Sequence, residues 1–208
     1  MERPHFSPLE AGRFFVLPEG IPARVLYDVP PQGWISWIGA AKPELKAGAL
    51  HRFVMLTIVN ATNVVVDGCT AQLALTPPVG PTVNDLVAAL AALPPFVVTT
   101  QPSDVIVDGY HGKHLAISVP ELPFEIDGDD GTFTSCTGGE LMSWIGAPVD
   151  PAFYGHVEPG GIEELWVLDI DGRRLVIQTS WSPLSPEADV AELATMFASI
   201  DIEPLLTP

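Results

Sequence analysis

The 208-residue chain is 47% hydrophobic, with a mean hydropathy of +0.30, which supports one substantial core and excludes a disordered chain. Lys and Arg total 9 against 26 Asp and Glu, so the net charge is −17 and the surface field repels phosphate backbones and anionic membranes. Nucleic acid is therefore not expected as a partner, and no run approaches the roughly 20 apolar residues that a membrane span needs.

Residues 1–24 read as an N-terminal extension and 25–204 as a single α+β domain. The opening "MERPHFSPLEAGRFFVLPEG" lacks the basic start and continuous apolar run of a signal peptide, so a soluble, unprocessed chain is expected. In "VPPQGWISW", Trp34 and Trp37 cannot share one face of a regular strand, so one belongs to the core and the other to a second layer or the surface. Three segments, "TNVVVDGCTAQLAL", "SDVIVDGYHGKHLAISV" and "ELWVLDIDGRRLVIQTSW", set Asp-Gly between β-branched runs, the favoured two-residue loop of a type I′ hairpin. A turn at Asp171-Gly172 would place Asp169 opposite Arg174, Val167 opposite Val176 and Trp166 opposite Ile177. One at Asp108-Gly109 would place Asp104 opposite Lys113.

Two amphipathic helices are predicted between the strands. In "PTVNDLVAALAALPP", Thr82 caps the helix with Asp85 at its third position, Leu86, Ala89, Leu90 and Leu93 form the apolar face, and Pro94 ends it. In "SPEADVAELATMFASI", Ser185 is the expected cap, Pro186 the first helical residue, and Val190, Leu193, Phe197 and Ile200 the buried stripe. "SWIGA" occurs at 36–40 and again at 143–147, 107 residues apart. The turns at Asp67 and Asp171, and the helix starts at Asp85 and Asp189, are each 104 apart. This shared order suggests an internal pseudo-repeat, about 34–100 and 133–200.

The fragments "VPPQGWISW", "DGYHGKHLAISVP", "LWVLDIDGRRLVIQTSW" and "ELATMFASIDIEP" resemble a family of uncharacterised actinobacterial domains that are lipoprotein-like or joined to signalling or membrane segments. The Pro-x-Gly-Trp strand and closing helix are similar, more loosely, to the PsbP-like α/β sandwich. The resemblance implies an extracytoplasmic location and a binding or assembly role, with no catalytic residues to carry over.

Chemistry-bearing motifs are sparse. Glu125, Asp127, Asp129 and Asp130 crowd one loop, but Asp130 sits where an EF-hand loop needs glycine, so a solvated acidic turn is expected rather than a calcium site. His111 and His114 fall on opposite faces of a strand, and no zinc set is completed. There is no Gly-x-Ser-x-Gly elbow and no phosphate cradle. Cys69 and Cys136 are either one disulfide of an oxidising compartment or two buried thiols.

The expected fold is thus α+β: a twisted antiparallel sheet with two amphipathic helices, PsbP-like or a pseudo-duplicated sandwich. No cofactor, metal or catalytic residue is assigned. The expected role is a binding or interaction module for a small apolar ligand or a protein partner, with Trp34, Trp37 and Trp144 as ligand-binding residues. An acid/base hydrolase and a structural or assembly subunit are the alternatives.

Overall fold

The computed structural model describes residues 6–31, 33–44, 52–127, 130–147, 152–156 and 158–205. In chain order the elements are β1 (Gly12–Val16), β2 (Ala23–Val29), β3 (Ile35–Trp37), β4 (Gly39–Glu44), β5 (Arg52–Asp67), β6 (Ala71–Ala74), α1 (Val83–Ala91), β7 (Val97–Val107) and β8 (Tyr110–Ser118). They continue with β9 (Phe124–Asp127), β10 (Asp130–Phe133), β11 (Leu141–Ala147), β12 (Ala152–His156), β13 (Ile162–Ile170), β14 (Arg173–Trp181), α2 (Glu187–Ala198) and β15 (Asp201–Pro204).

Ten strands form one sheet whose main path runs β12-β11-β5-β14-β13-β8-β7, with β3, β4 and β6 attached off it. Every pairing among the described strands is antiparallel, which establishes the α+β class. A second sheet, β1-β2-β15, covers one face together with α2, while α1 covers the other. The stretch expected to be an extension, residues 1–24, contributes β1 and the start of β2 to that second sheet.

The layers follow from strand alternation. Val54, Leu56 and Ile58 of β5 and Leu175 and Ile177 of β14 point to the α2 side, where Leu193, Met196, Val25, Tyr27 and Ile202 meet them. Val59 of β5, Val176 of β14 and Leu165 and Val167 of β13 point the opposite way, onto Leu86, Val87 and Leu90 of α1. Thr82 and Asp85 form the predicted capping box, and its hydroxyl and backbone bonds hold the Asp85 carboxylate below its usual value.

Two hairpins take the predicted register, β13–β14 along its whole length and β7–β8 from its turn as far as Ser103 opposite His114, beyond which the register shifts. Asp171-Gly172 and Asp108-Gly109 both have positive φ, as a type I′ turn requires, and Lys113 Nζ lies 2.7 Å from Asp104. Arg174, however, faces Asp169 without pairing to it. The guanidinium reaches sideways to the carbonyl oxygens of Gly80 (2.5 Å) and Thr62 (2.8 Å), fastening the entry of α1 to the sheet, while Asp169 accepts from the Gly172 amide at 2.7 Å.

The other local differences have physical causes. At Asp67 the loop spans Gly68 to Thr70, because the Asp67 carboxylate accepts from the Cys69 and Thr70 amides and closes a wider turn. Gly68 serves a close approach there: a Cβ on it would fall 2.4 Å from the Met142 carbonyl oxygen. Ser185 does not cap α2. Its hydroxyl is drawn to the Phe53 carbonyl oxygen (2.6 Å), which leaves Pro186 as the cap residue. The cysteine alternatives resolve into a Cys69–Cys136 disulfide that ties the β5–β6 turn to the 3-10 turn before β11.

The two SWIGA copies differ in pairing. The first forms the β3–β4 turn and pairs with the first strand of its own hairpin; the second lies in β11, which pairs with β12 and with β5 of the other half. Both set their Gly-Ala against β5, Gly39 opposite Thr57 and Gly146 opposite Ala61. At Gly39 (φ 138°) a Cβ would sit 2.1 Å from the Leu56 carbonyl oxygen, and the Gly39 carbonyl accepts from the buried Tyr27 hydroxyl at 2.8 Å.

Gly39→Ala should therefore cost about 3 kcal/mol or more, whereas Gly109→Ala, with φ 81° and no atom within 4 Å of its Cβ, should cost about 1 kcal/mol. Urea unfolding of the two variants checks the order, and equal losses would contradict the close-approach role. For the disulfide, whose cysteines are 67 residues apart in the chain, Cys69→Ser with Cys136→Ser should lower stability by about 4 kcal/mol, read from the same transition.

Candidate functional site

On the α1 face, the apolar rows of the sheet give way to polar ones toward the start of β13. The register sets Leu165 opposite Gln178 and Glu163 opposite Ser180, and β5 continues these rows with Thr57 beside Gln178 and Met55 beside Ser180. Alternation places Thr57, Gln178, Ser180 and Glu163 on the same side as Val167 and Val176. All four are buried, none more than 3% exposed.

Two side chains come across from neighbouring strands. Trp144 of β11 donates its indole N–H to Gln178 Oε1 at 2.9 Å. Because an indole only donates, this bond fixes the amide orientation and turns Gln178 Nε2 away from the tryptophan. His156 of β12 pairs through Nδ1 with Glu163 Oε1, both side chains at least 96% buried, and Phe96 packs on the imidazole with ring centroids 4.6 Å apart. The buried Glu158 lies on the link from β12 to β13.

A carboxylate removed from water is tolerated only with a charged or hydrogen-bonding partner, and His156 supplies that for one oxygen. Among the described residues, Glu163 Oε2, Gln178 Nε2 and Thr57 Oγ1 are buried and have no hydrogen-bond partner. The contrast along β5 is informative. Asn60 bonds the Glu19 carbonyl, Thr62 the Ile145 carbonyl, and Asn63 both Leu75 and Val79, so its other neutral polar side chains are satisfied. Thr57 and Gln178 are directly opposed, about 5 Å apart at Cβ, and Gln178 and Glu163 are diagonal neighbours at about 7 Å. An acceptor, a donor and a hydroxyl capable of both thus occupy neighbouring positions on one buried sheet face.

The tryptophans expected to bind ligand do not come together. Trp34 is 1% exposed in the core on the α2 face, its indole donating to Glu192 at 3.1 Å, whereas Trp144 is buried on the α1 face. Trp37 is half-buried, with the Phe6 ring 5.3 Å away. As predicted, Trp34 and Trp37 separate, but it is Trp34 that enters the core, where its large apolar surface is sealed by α2 and its polar atom is satisfied. Trp144 alone borders the polar row.

His111 is exposed, while His114 stacks on Trp166 at 4.7 Å between centroids, with Phe197 on the other neighbour contact of that indole at 3.9 Å. Of the acidic loop, Asp127 and Asp130 form the last pair of the β9–β10 ribbon and Asp129 lies outside the described residues. Among the described residues, no group of three or more His, Cys, Asp or Glu is arranged to hold a metal. Nor is any helix among the described residues long and apolar enough to cross a membrane.

Comparison with known proteins finds no family model and no curated protein that matches the chain.

Removing one member of the buried pair leaves the other unpaired. Glu163→Leu should destabilise by about 3 to 5 kcal/mol, and the double variant Glu163→Leu with His156→Leu should recover much of that loss. A double-mutant cycle measured by urea unfolding checks this; an additive double variant would show that the two side chains do not act as a pair.

Proposed function

We propose that the protein is a binding module whose α1-face polar row holds a small neutral molecule able both to donate and to accept hydrogen bonds. The observation that carries this reading is that Glu163 Oε2, Gln178 Nε2 and Thr57 Oγ1, on neighbouring positions of one sheet face, are buried and unpartnered among the described residues, next to the apolar cluster of that face. Buried polar groups in folded proteins are nearly always satisfied, so three neighbours lacking partners point to a guest that completes them. A neutral guest fits because the carboxylate is already faced by an imidazole able to carry the compensating charge. The apolar ligand expected from the tryptophans is replaced by a polar one, since Trp34 and Trp144 are committed to core packing and internal hydrogen bonds.

The Cys69–Cys136 bridge supports a working place in an oxidising compartment, in keeping with the extracytoplasmic resemblance. The antiparallel sheet with two helices is compatible with a PsbP-like sandwich, and that kinship stays part of the proposal. Acid/base catalysis is the second reading, favoured by one observation: a histidine held against a carboxylate at Nδ1 is the pairing that orients a general base.

Thermal melting with a panel of small amides and polyols, backed by native mass spectrometry of the protein as purified, tests the proposal. The expected result is a saturable rise in Tm with at least one panel member, abolished in Gln178→Leu. No response in the unaltered protein, together with a clean native mass, would overturn it. Prolonged incubation separates the two readings, because a binding module returns the guest chemically unchanged and a hydrolase returns products.

A further inference from the structure

The β5–β6 hairpin and the loop after it form a long uncharged stretch in a strongly acidic protein. Residues 68–84 contain no ionisable acid or base other than the bridged Cys69, and within and beside them Leu73 is 74% exposed and Val66 46%, with Ala74, Pro77 and Pro78 also exposed. Exposed apolar side chains scattered singly need no explanation, but here they recur along one short segment.

That segment is held rigidly. The disulfide fixes the turn at Cys69, the Asp67 carboxylate accepts from the Cys69 and Thr70 amides, and Gln72 Nε2 donates to the carbonyl oxygens of Gly68 (3.1 Å) and Glu140 (2.5 Å). The Thr137 and Met142 amides bond back to the Cys69 and Gly68 carbonyls at 2.8 and 2.9 Å. A contact surface that is already ordered loses little conformational entropy when a partner arrives.

The electrostatic setting selects the partner. No Lys or Arg occurs between residues 53 and 112 or between 114 and 172, and the charges at the hairpin end, at Asp67 and Glu140, are negative, while Arg174 lies against Gly80 at the far end of the loop, near Asp85. An apolar centre with an anionic rim complements an apolar side chain flanked by cations. We infer that the β5–β6 hairpin and its following loop are a docking surface for a cationic polypeptide segment of a partner protein, seating an aliphatic side chain on Leu73 and Val66 and its Lys or Arg residues against the acidic rim. A second copy of this chain would instead bring like charges together.

The probe is a synthetic ten-residue peptide alternating lysine and leucine, compared with its glutamate–leucine counterpart by fluorescence anisotropy. The lysine peptide should bind and the glutamate peptide should not. Leu73→Ser and, separately, Val66→Thr should each weaken binding about tenfold, while Ile106→Ser, an equally exposed site on β7, should leave it unchanged. Both hairpin positions are exposed, so these variants keep the fold, which an unaltered Tm verifies. Absence of binding, equal binding of both peptides, or binding suppressed by salt yet indifferent to Leu73 and Val66 would each overturn the inference, the last by reducing it to diffuse attraction between a cation and a protein of net charge −17. None of these outcomes bears on the small-molecule site, because Leu73 and Val66 are exposed on the hairpin whereas Thr57, Gln178 and Glu163 are buried.

Discussion

The main sheet is registered against β5. Over residues 54–57 this strand is hydrogen-bonded to β4 and to β14 at once, and further along it carries β11 and β6. Its faces are equally occupied, by α2 and the second sheet on one side and by α1 on the other. A strand enclosed on edges and faces has no place for a charge, and from Phe53 to Val66 there is none. The same crowding explains SWIGA. Two different strands must come close to the β5 backbone, at Thr57 and at Ala61, and each meets it with a glycine followed by an alanine.

Local chemistry made much of this fold legible. Two of the three Asp-Gly turns need positive φ at both central residues and adopt it, so their registers could be read pair by pair from the turn outward. The capping box of α1 is complete within four residues and depends on nothing distant. Where the reading diverged, a tertiary contact outweighed a local preference. Ser185 is a good cap by type, yet its hydroxyl goes to the Phe53 carbonyl, which also accepts from the Ser182 amide, rather than to the helix start. Arg174 faces Asp169, yet it is longer than the gap and finds two carbonyls at the entry to α1. In both cases the winning partner is more than ninety residues away in sequence.

The candidate site was only half visible, for a reason that lies in its makeup. Extending the register of β13 and β14 by three pairs beyond Trp166 puts Glu163 on the face of Val167, and "VIQTSW" sets Gln178 and Ser180 on that same face. A polar patch on an apolar face was therefore derivable. Its closure was not, because Thr57, Trp144 and His156 come from strands whose pairing no turn specifies. Trp144 stood out by size, which suggested a ligand contact, while its hydrogen bond to Gln178 Oε1 depends on a strand pairing the sequence does not display. The least conspicuous residue, Thr57, is the one that β5 leaves unsatisfied.

The placement of the few cations divides the molecule into two chemical regions. Arg13 bonds Asp28 and Asp201, Arg24 pairs with Glu203, and Lys42 bridges Asp189 and Glu192, so these three serve to hold β1, β2, β4, β15 and α2 together. Lys113 and Arg174 are tied within or beside their own sheet. Asp67 and Glu140, beside the disulfide-bound hairpin, are by contrast in no ion pair among the described residues. Like-charge repulsion there opposes folding, and a covalent bridge across that region counters it by limiting how far the unfolded chain can expand. A hairpin end held by a disulfide, with Asp67 spent on the turn amides and Glu140 in no ion pair among the described residues, is consistent with a region shaped for contact, because it is ordered before any partner arrives.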